Sequence, residues 1–132
     1  MSNLQAAKDI YDAMDRADVT ALIEAMDPAI EWHEAEHSPY ASAEGPWVGV
    51  DAIFANVFVN FITQWEGFTI RRDRFHDAGD VVVMEGRYAG TYLATGKVLD
   101  AQVSHVLNIR DGRLVKFQQY TDTRCWTEVM TP

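Results

Sequence analysis

At 132 residues the chain is long enough for one domain with a real core, and 48% hydrophobic content with 11% aromatics excludes a disordered protein. Twenty acidic residues against 11 basic ones give a formal charge of −9, which argues against nucleic-acid and membrane partners because such a surface repels phosphate backbones and anionic lipid. The single Cys125 cannot close an intrachain disulfide, Met1–Leu4 has no basic-then-apolar leader pattern, and no apolar stretch is long enough for a bilayer, all of which suit a cytoplasmic location.

With no repeat, low-complexity segment or linker, residues 1–132 read as a single domain. Ser2 can cap a first helix, with Gln5 completing a capping box, and Leu4, Ala7, Tyr11 and Met14 form its apolar face. Asp18 caps a second, shorter helix carrying Val19, Leu22, Ile23 and Met26, which Asp27-Pro28 interrupts. A loop rich in helix breakers runs from Ser38-Pro39 to Gly49. Ile53, Phe54, Val57, Phe58, Phe61, Ile62 and Trp65 then form a wide apolar stripe on a third helix suited to lying across a sheet. From Phe68 the period changes to two, and glycine turns at Ala78-Gly79, Thr95-Gly96 and Asp111-Gly112 separate four strands near 68–77, 80–93, 98–110 and 113–123. Three helices followed by an antiparallel meander give an α+β plan.

The stretch "HEAEH", His33 to His37, matches a zinc-protease signature. Such a site needs a helix, since two histidines four apart share a face only there. Asp27 as cap and Pro28 in a first turn would allow one, but Pro39 would end it two residues after the second ligand, and no third ligand follows. The alternative is a strand through Ile30–His33 with Ile30 and Trp32 turned inward, Trp32 serving as wall. On that reading no metal is expected.

Alternation locates a pocket. In the strand beginning near Val98, the odd positions Ala101, Val103, His105, Leu107 and Ile109 are apolar apart from the histidine and therefore face inward. If Asp111-Gly112 is a two-residue turn, each opposed pair sums to 223, and Gln118, Tyr120 and Asp122 join His105 on the inner face. The same step across Thr95-Gly96 puts Gly86 opposite His105, leaving open space before the imidazole, and turns Tyr88 inward. A one-residue change of register would reverse these faces. His105 and Asp122 are the candidate proton movers; Tyr88, Gln118 and Tyr120 are candidate lining groups. The plainer alternative for each is a satisfied core residue.

The order of elements, together with "SPYA", "WVGVDAIFANVF", "DAGDVVVMEGRYAGTYLATGK" and "HVLNIRDGRLVKFQQYTDT", resembles the nuclear-transport-factor-2-like fold in its SnoaL-like and ketosteroid-isomerase branch. The likeness spans about residues 4–124. It implies a cone-shaped curved sheet closed by three N-terminal helices around a pocket, a small apolar organic ligand, no cofactor, and a homodimer through the outer sheet face. Val115 and Phe117, assigned to that outer face, and the apolar tail from Cys125 to Met130 fit a dimer too. By resemblance to ketosteroid isomerase, Tyr11 corresponds to an oxyanion-binding tyrosine and Glu34 to the carboxylate base. The chain departs from that pattern where a second acid is expected, offering Val103 and His105. It also lacks the arginine that epoxide-hydrolase relatives carry on this strand. The expected activity is proton abstraction next to a carbonyl, leading to isomerisation, cyclisation or dehydration, against a non-catalytic ligand-binding or structural dimeric module.

Overall fold

The computed structural model describes all 132 residues. Helix α1 (Asn3–Asp15) is capped by Ser2, whose side chain accepts from the Gln5 backbone N–H at 3.1 Å. The Gln5 side chain does not reach back to complete a box; it donates to Asp9 one turn on. Asp18 caps α2 (Val19–Ala25) in the same way through Ala21. Strand β1 (Met26–His33) buries Ile30 and Trp32, and tolerates Pro28 because its pairing with the neighbouring strand is irregular between Met26 and Glu31. A short β2 (Trp47–Val48) follows. The third helix is broken into α3 (Val50–Ile53), a π-helical turn (Phe54–Phe58) and α4 (Val59–Thr63). No helix is long and apolar enough to cross a membrane.

Strands β3 (Trp65–Asp77), β4 (Val81–Tyr92), β5 (Val98–Arg110) and β6 (Arg113–Thr121) form the meander. The six strands order as β2-β1-β6-β5-β4-β3 in a curved, unclosed sheet, antiparallel except where β1 runs parallel to β6. Helices and the inner sheet face share one hydrophobic cluster.

Two turn lengths decide which side chains face inward. Across Asp111-Gly112 the register starts as expected, with Arg110 opposite Arg113 and Ile109 opposite Leu114, but Asn108 then faces Lys116. Val115 is an extra residue, a β-bulge, and every later residue of β6 is turned over. The driving force is local. Without the bulge Leu114 would be buried and Phe117 left in water; with it both are buried, and Phe117 is only 2% exposed. Burying a phenylalanine stabilises by about 1.5–3 kcal/mol, enough to bend a strand. Phe117 stacks on Trp32 with ring centroids 3.6 Å apart, so it is part of the core and not of the outer face.

Between β4 and β5 the loop spans Leu93–Gly96, closed by the Tyr92 N–H on the Lys97 carbonyl at 2.9 Å. That register is two residues from the expected one, so Met84 and not Gly86 lies opposite His105. An even shift preserves faces, and Tyr88 stays inside. Gly86 serves a different need: a Cβ there would lie 1.8 Å from the Arg71 carbonyl oxygen of β3.

The tail also has its place within the chain. Helix α5 (Thr123–Met130) buries Trp126 and Val129, and Trp126 packs edge-on to Trp65 and Tyr88. The Lys97 ammonium holds its end by donating to the Thr131 carbonyl at 2.6 Å. Phe117, Trp126 and Val129 are thus buried within the chain, and the outer face of the sheet carries ion pairs such as Arg71–Asp73 and Arg87–Asp100.

Asp122 is the N-cap of α5, its carboxylate accepting from the Cys125 backbone N–H at 3.2 Å. Replacing Asp122 with Ala should lower stability by about 1 kcal/mol in urea denaturation, the usual cost of a lost cap. Trp126→Ala, which empties a packed aromatic site, should cost about 3–5 kcal/mol in the same measurement.

Candidate active site

The sheet and helices surround a half-open cavity of about 780 Å³, and 15 of its 23 lining residues are hydrophobic. Aromatic rings dominate its walls, among them Trp32, Phe54, Phe58, Phe68 and Phe117. Phe54 and Phe58 come from the π-helical turn, which keeps both rings on the cavity side 5.0 Å apart. Against this apolar background stand the polar side chains Glu34, His105, Tyr11, Tyr88 and Gln119, and Asp15, Thr69, Arg71 and Arg72 also line the cavity. A mostly apolar concavity with a few placed polar groups is the usual form of a small-molecule site.

His105, 1% exposed at the centre of β5, is gripped from both sides. Its Nδ1 lies 2.7 Å from the Tyr11 hydroxyl on α1, and its Nε2 lies 2.6 Å from the Tyr88 hydroxyl on β4. Burial drives the imidazole pKa down from 6.5 to about 3, so the ring is neutral across the physiological range. Burial likewise holds both phenols above their ordinary value, Tyr88 further raised by the Glu34 charge and Tyr11 partly relieved by the Arg72 cation. Arg72 lies 5.5 Å from the Tyr11 ring centre, fastened to Asp15 at 2.8 Å and to Asp12 at 3.3 Å.

Gln119 is opposite His105 in the bulged register. Its Oε1 accepts from the Ala35 N–H at 3.1 Å, which fixes the amide orientation, and its Nε2 donates to the Tyr88 hydroxyl at 2.8 Å.

Glu34 follows β1, and the alternation that turns Trp32 inward also brings Glu34 to the cavity. The Trp32 indole N–H donates to Oε2 at 3.0 Å and the Ser38 hydroxyl to Oε1 at 3.3 Å. Burial outweighs both donors and pushes the carboxyl up from 4.5 to about 7. A carboxylate that titrates near neutrality inside an apolar cavity can both take and return a proton at working pH.

Of the residues singled out from the sequence, Glu34, His105, Tyr11, Trp32 and Tyr88 meet in this one cavity. Gln118, Tyr120 and Asp122 do not. The Val115 bulge turns Gln118 and Tyr120 outward, leaving Tyr120 58% exposed, and Asp122 is past the end of β6 in its capping role. Gln119 was hidden by the same register. The signal for it is the three-residue spacing of Leu114 and Phe117, which a regular strand cannot bury on one face. In "HEAEH", His33 ends β1 and does not line the cavity, while His37 sits in a turn at φ 66°. The two are not on one helical face, and no group of three or more His, Cys, Asp or Glu side chains is close enough to hold a metal ion.

Comparison with known proteins fits this architecture. The SnoaL-like domain family matches residues 7–117. The crystal structure of an NTF2-like protein from Burkholderia thailandensis is 40% identical, with a TM-score of 0.92 over 100% of this chain and 99% of that one. An NTF2-like protein of unknown function from Burkholderia pseudomallei is 26% identical, with a TM-score of 0.87 over the whole of both chains. A candidate SnoaL-like polyketide cyclase from Jannaschia shares the fold at 17% identity, with a TM-score of 0.81 over 98% of this chain and 93% of that one. No curated protein matches. The chain belongs to the SnoaL-like family of the NTF2-like fold.

Proposed function

We propose that the protein is a cofactor-independent enzyme that removes a proton next to the carbonyl of a small, largely apolar substrate. The observation that carries this reading is Glu34: a largely buried carboxyl with its pKa raised to about 7, in the same cavity as two tyrosine hydroxyls aligned by a neutral histidine. Glu34 in its ionised form takes the proton from the carbon next to the carbonyl. The electron pair moves to the carbonyl oxygen, and a tyrosine hydroxyl donates to the resulting enolate. Protonated Glu34 then returns the proton to another carbon in an isomerisation, or the enolate carbon attacks a second carbonyl of the same molecule in a cyclisation and the resulting alkoxide takes the proton back from Glu34. In the dehydration variant the enolate expels a hydroxyl from the next carbon, which leaves as water with the proton held by Glu34.

His105 serves this chemistry by holding the hydroxyls rather than by moving the proton. Both its nitrogens are engaged, and its basicity is suppressed by burial. The aromatic walls favour a flat apolar substrate, in line with the polyketide-cyclase description of the Jannaschia relative. A ligand-binding module without chemistry would need the cavity but not a carboxyl poised near neutrality. A purely structural module would need neither.

Hydrogen–deuterium exchange next to the carbonyl of a panel of apolar aryl ketones, followed by proton NMR, tests the reading. Exchange should be accelerated over buffer, rise with pH around a midpoint of about 7, and fall about 10²- to 10⁴-fold in Glu34→Gln. No acceleration across the panel, or an unaffected Glu34→Gln, would remove the assignment.

The same substitution has a stability consequence. Between pH 4.5 and about 7 the folded chain holds a Glu34 proton that the unfolded chain has released, so this carboxyl costs stability as pH rises through that window and fully above it. Glu34→Gln should therefore unfold at higher denaturant than wild type above pH 7, by up to about 3 kcal/mol, with the advantage vanishing below pH 4.5.

A further inference from the structure

Counting protons along the Tyr11–His105–Tyr88 chain shows that it always keeps one for the cavity. Neutral His105 carries one N–H and each phenol one O–H, three protons in all. The two hydrogen bonds, at 2.7 and 2.6 Å, consume two. The third is left on a tyrosine that lines the cavity, and the histidine tautomer decides which. With the proton on Nδ1, Tyr88 donates to Nε2, the ring donates to Tyr11, and Tyr11 presents the spare proton. With the proton on Nε2, Tyr11 donates to Nδ1, the ring donates to Tyr88, and Tyr88 presents it.

The surroundings break this tie. At the Tyr11 end sits the Arg72 guanidinium, 5.5 Å from the phenol ring and locked to Asp15 and Asp12. At the Tyr88 end sits the Glu34 carboxylate. Glu34 is tied to Tyr88 through its neighbour Ala35, whose N–H holds the Gln119 amide that donates to the Tyr88 oxygen. Above its titration the Glu34 anion orients the dipoles between the two ends with their hydrogens pointing towards it, and Arg72, although its charge is shared with Asp15 and Asp12, acts in the same sense at Tyr11. The Gln119 donor holds the Tyr88 oxygen in place and strengthens the bond that the Tyr88 hydroxyl donates, while the charges at the two ends set where that bond points.

We infer that His105 is held as the Nε2–H tautomer, committing the Tyr88 hydroxyl and not that of Tyr11 to the ligand's oxygen, with Gln119 as the positioning residue that fixes Tyr88 in that role. The inference rests on the carbonyl-site reading for the identity of the ligand, though not for the tautomer. It assigns the direct oxyanion contact to Tyr88 on β4 and makes Tyr11 on α1 the anchor behind it. No proton leaves the chain: the enolate receives a hydrogen bond, and its charge takes over the place of the Glu34 anion once Glu34 has accepted the substrate proton.

Nitrogen-15 NMR of His105 in the ligand-free protein, at a pH above the Glu34 titration, reads the tautomer directly. A bare, pyridine-like Nδ1 and a protonated Nε2 are expected; the reverse pattern would overturn the inference. Binding of 2-naphthol, a flat neutral analogue of the enol, against naphthalene as its oxygen-free counterpart reads the donor. Tyr88→Phe should weaken 2-naphthol by about 10-fold and leave naphthalene unchanged, as expected for one hydrogen bond to a neutral oxygen. Tyr11→Phe should change 2-naphthol by no more than a few-fold. Gln119→Met should weaken 2-naphthol selectively, a split between the two probes that a purely structural role would not give. A larger loss in Tyr11→Phe than in Tyr88→Phe would also overturn the inference. If 2-naphthol binds no better than naphthalene to the wild type, the carbonyl-site reading falls, while the NMR result still decides the tautomer.

Discussion

Burial keeps His105 neutral, and the polar half of the cavity is arranged around that constraint. A charged imidazole would have two N–H donors, and both tyrosine oxygens would have to accept from it, freeing both phenol protons. A neutral ring has one donor and one acceptor, which makes the two tyrosines inequivalent and lets the chain carry a direction. The strands serve this arrangement. β5 holds the ring at its midpoint, β4 brings Tyr88 beside it, and the bulge in β6 delivers Gln119 behind Tyr88. α1 supplies Tyr11, and Arg72 of β3 straps α1 in place.

The hollow at the centre sets the other energies. An apolar cavity of about 780 Å³ forgoes packing that a filled core would gain, and it leaves Glu34 poorly solvated. Glu34 and His105 then give opposite slopes of stability with pH. Glu34 costs stability as pH rises from 4.5 to about 7. His105 costs stability as pH falls from 6.5 towards 3, because the unfolded ring takes a proton that the buried one refuses. Over the shared range the two slopes offset each other, so the combined cost of the pair changes little with pH although the two costs add. Sites of this kind commonly give up stability for function.

Much of the fold could be read from the sequence because its signals are local and strong. Ser2 and Asp18 cap the helices they precede, the glycine turns separate the strands, and the apolar alternation around His105 fixes its face. The failures share one cause. Strand periodicity transmits a face across a turn only if the register is unbroken, and a single extra residue at Val115 inverted Gln118, Gln119 and Tyr120 together. The two-residue error at the β4–β5 loop did no such harm to Tyr88, since an even shift leaves parity intact. Trp126 could not be placed because its partners, Trp65 and Tyr88 among them, are distant in sequence. Glu34 and Tyr11 were reachable through the family resemblance, as their roles depend on a burial that composition does not reveal.

The account stands on a carboxyl that titrates near neutrality inside the cavity. Carbon-13 NMR of the Glu34 side-chain carboxyl, assigned by comparison with Glu34→Gln, measures this directly. The structure predicts a midpoint of about 7, displaced upward from 4.5 by burial. A midpoint at the ordinary glutamate value would mean that water reaches the group freely, and would contradict both the burial of this carboxyl and the base assigned to it.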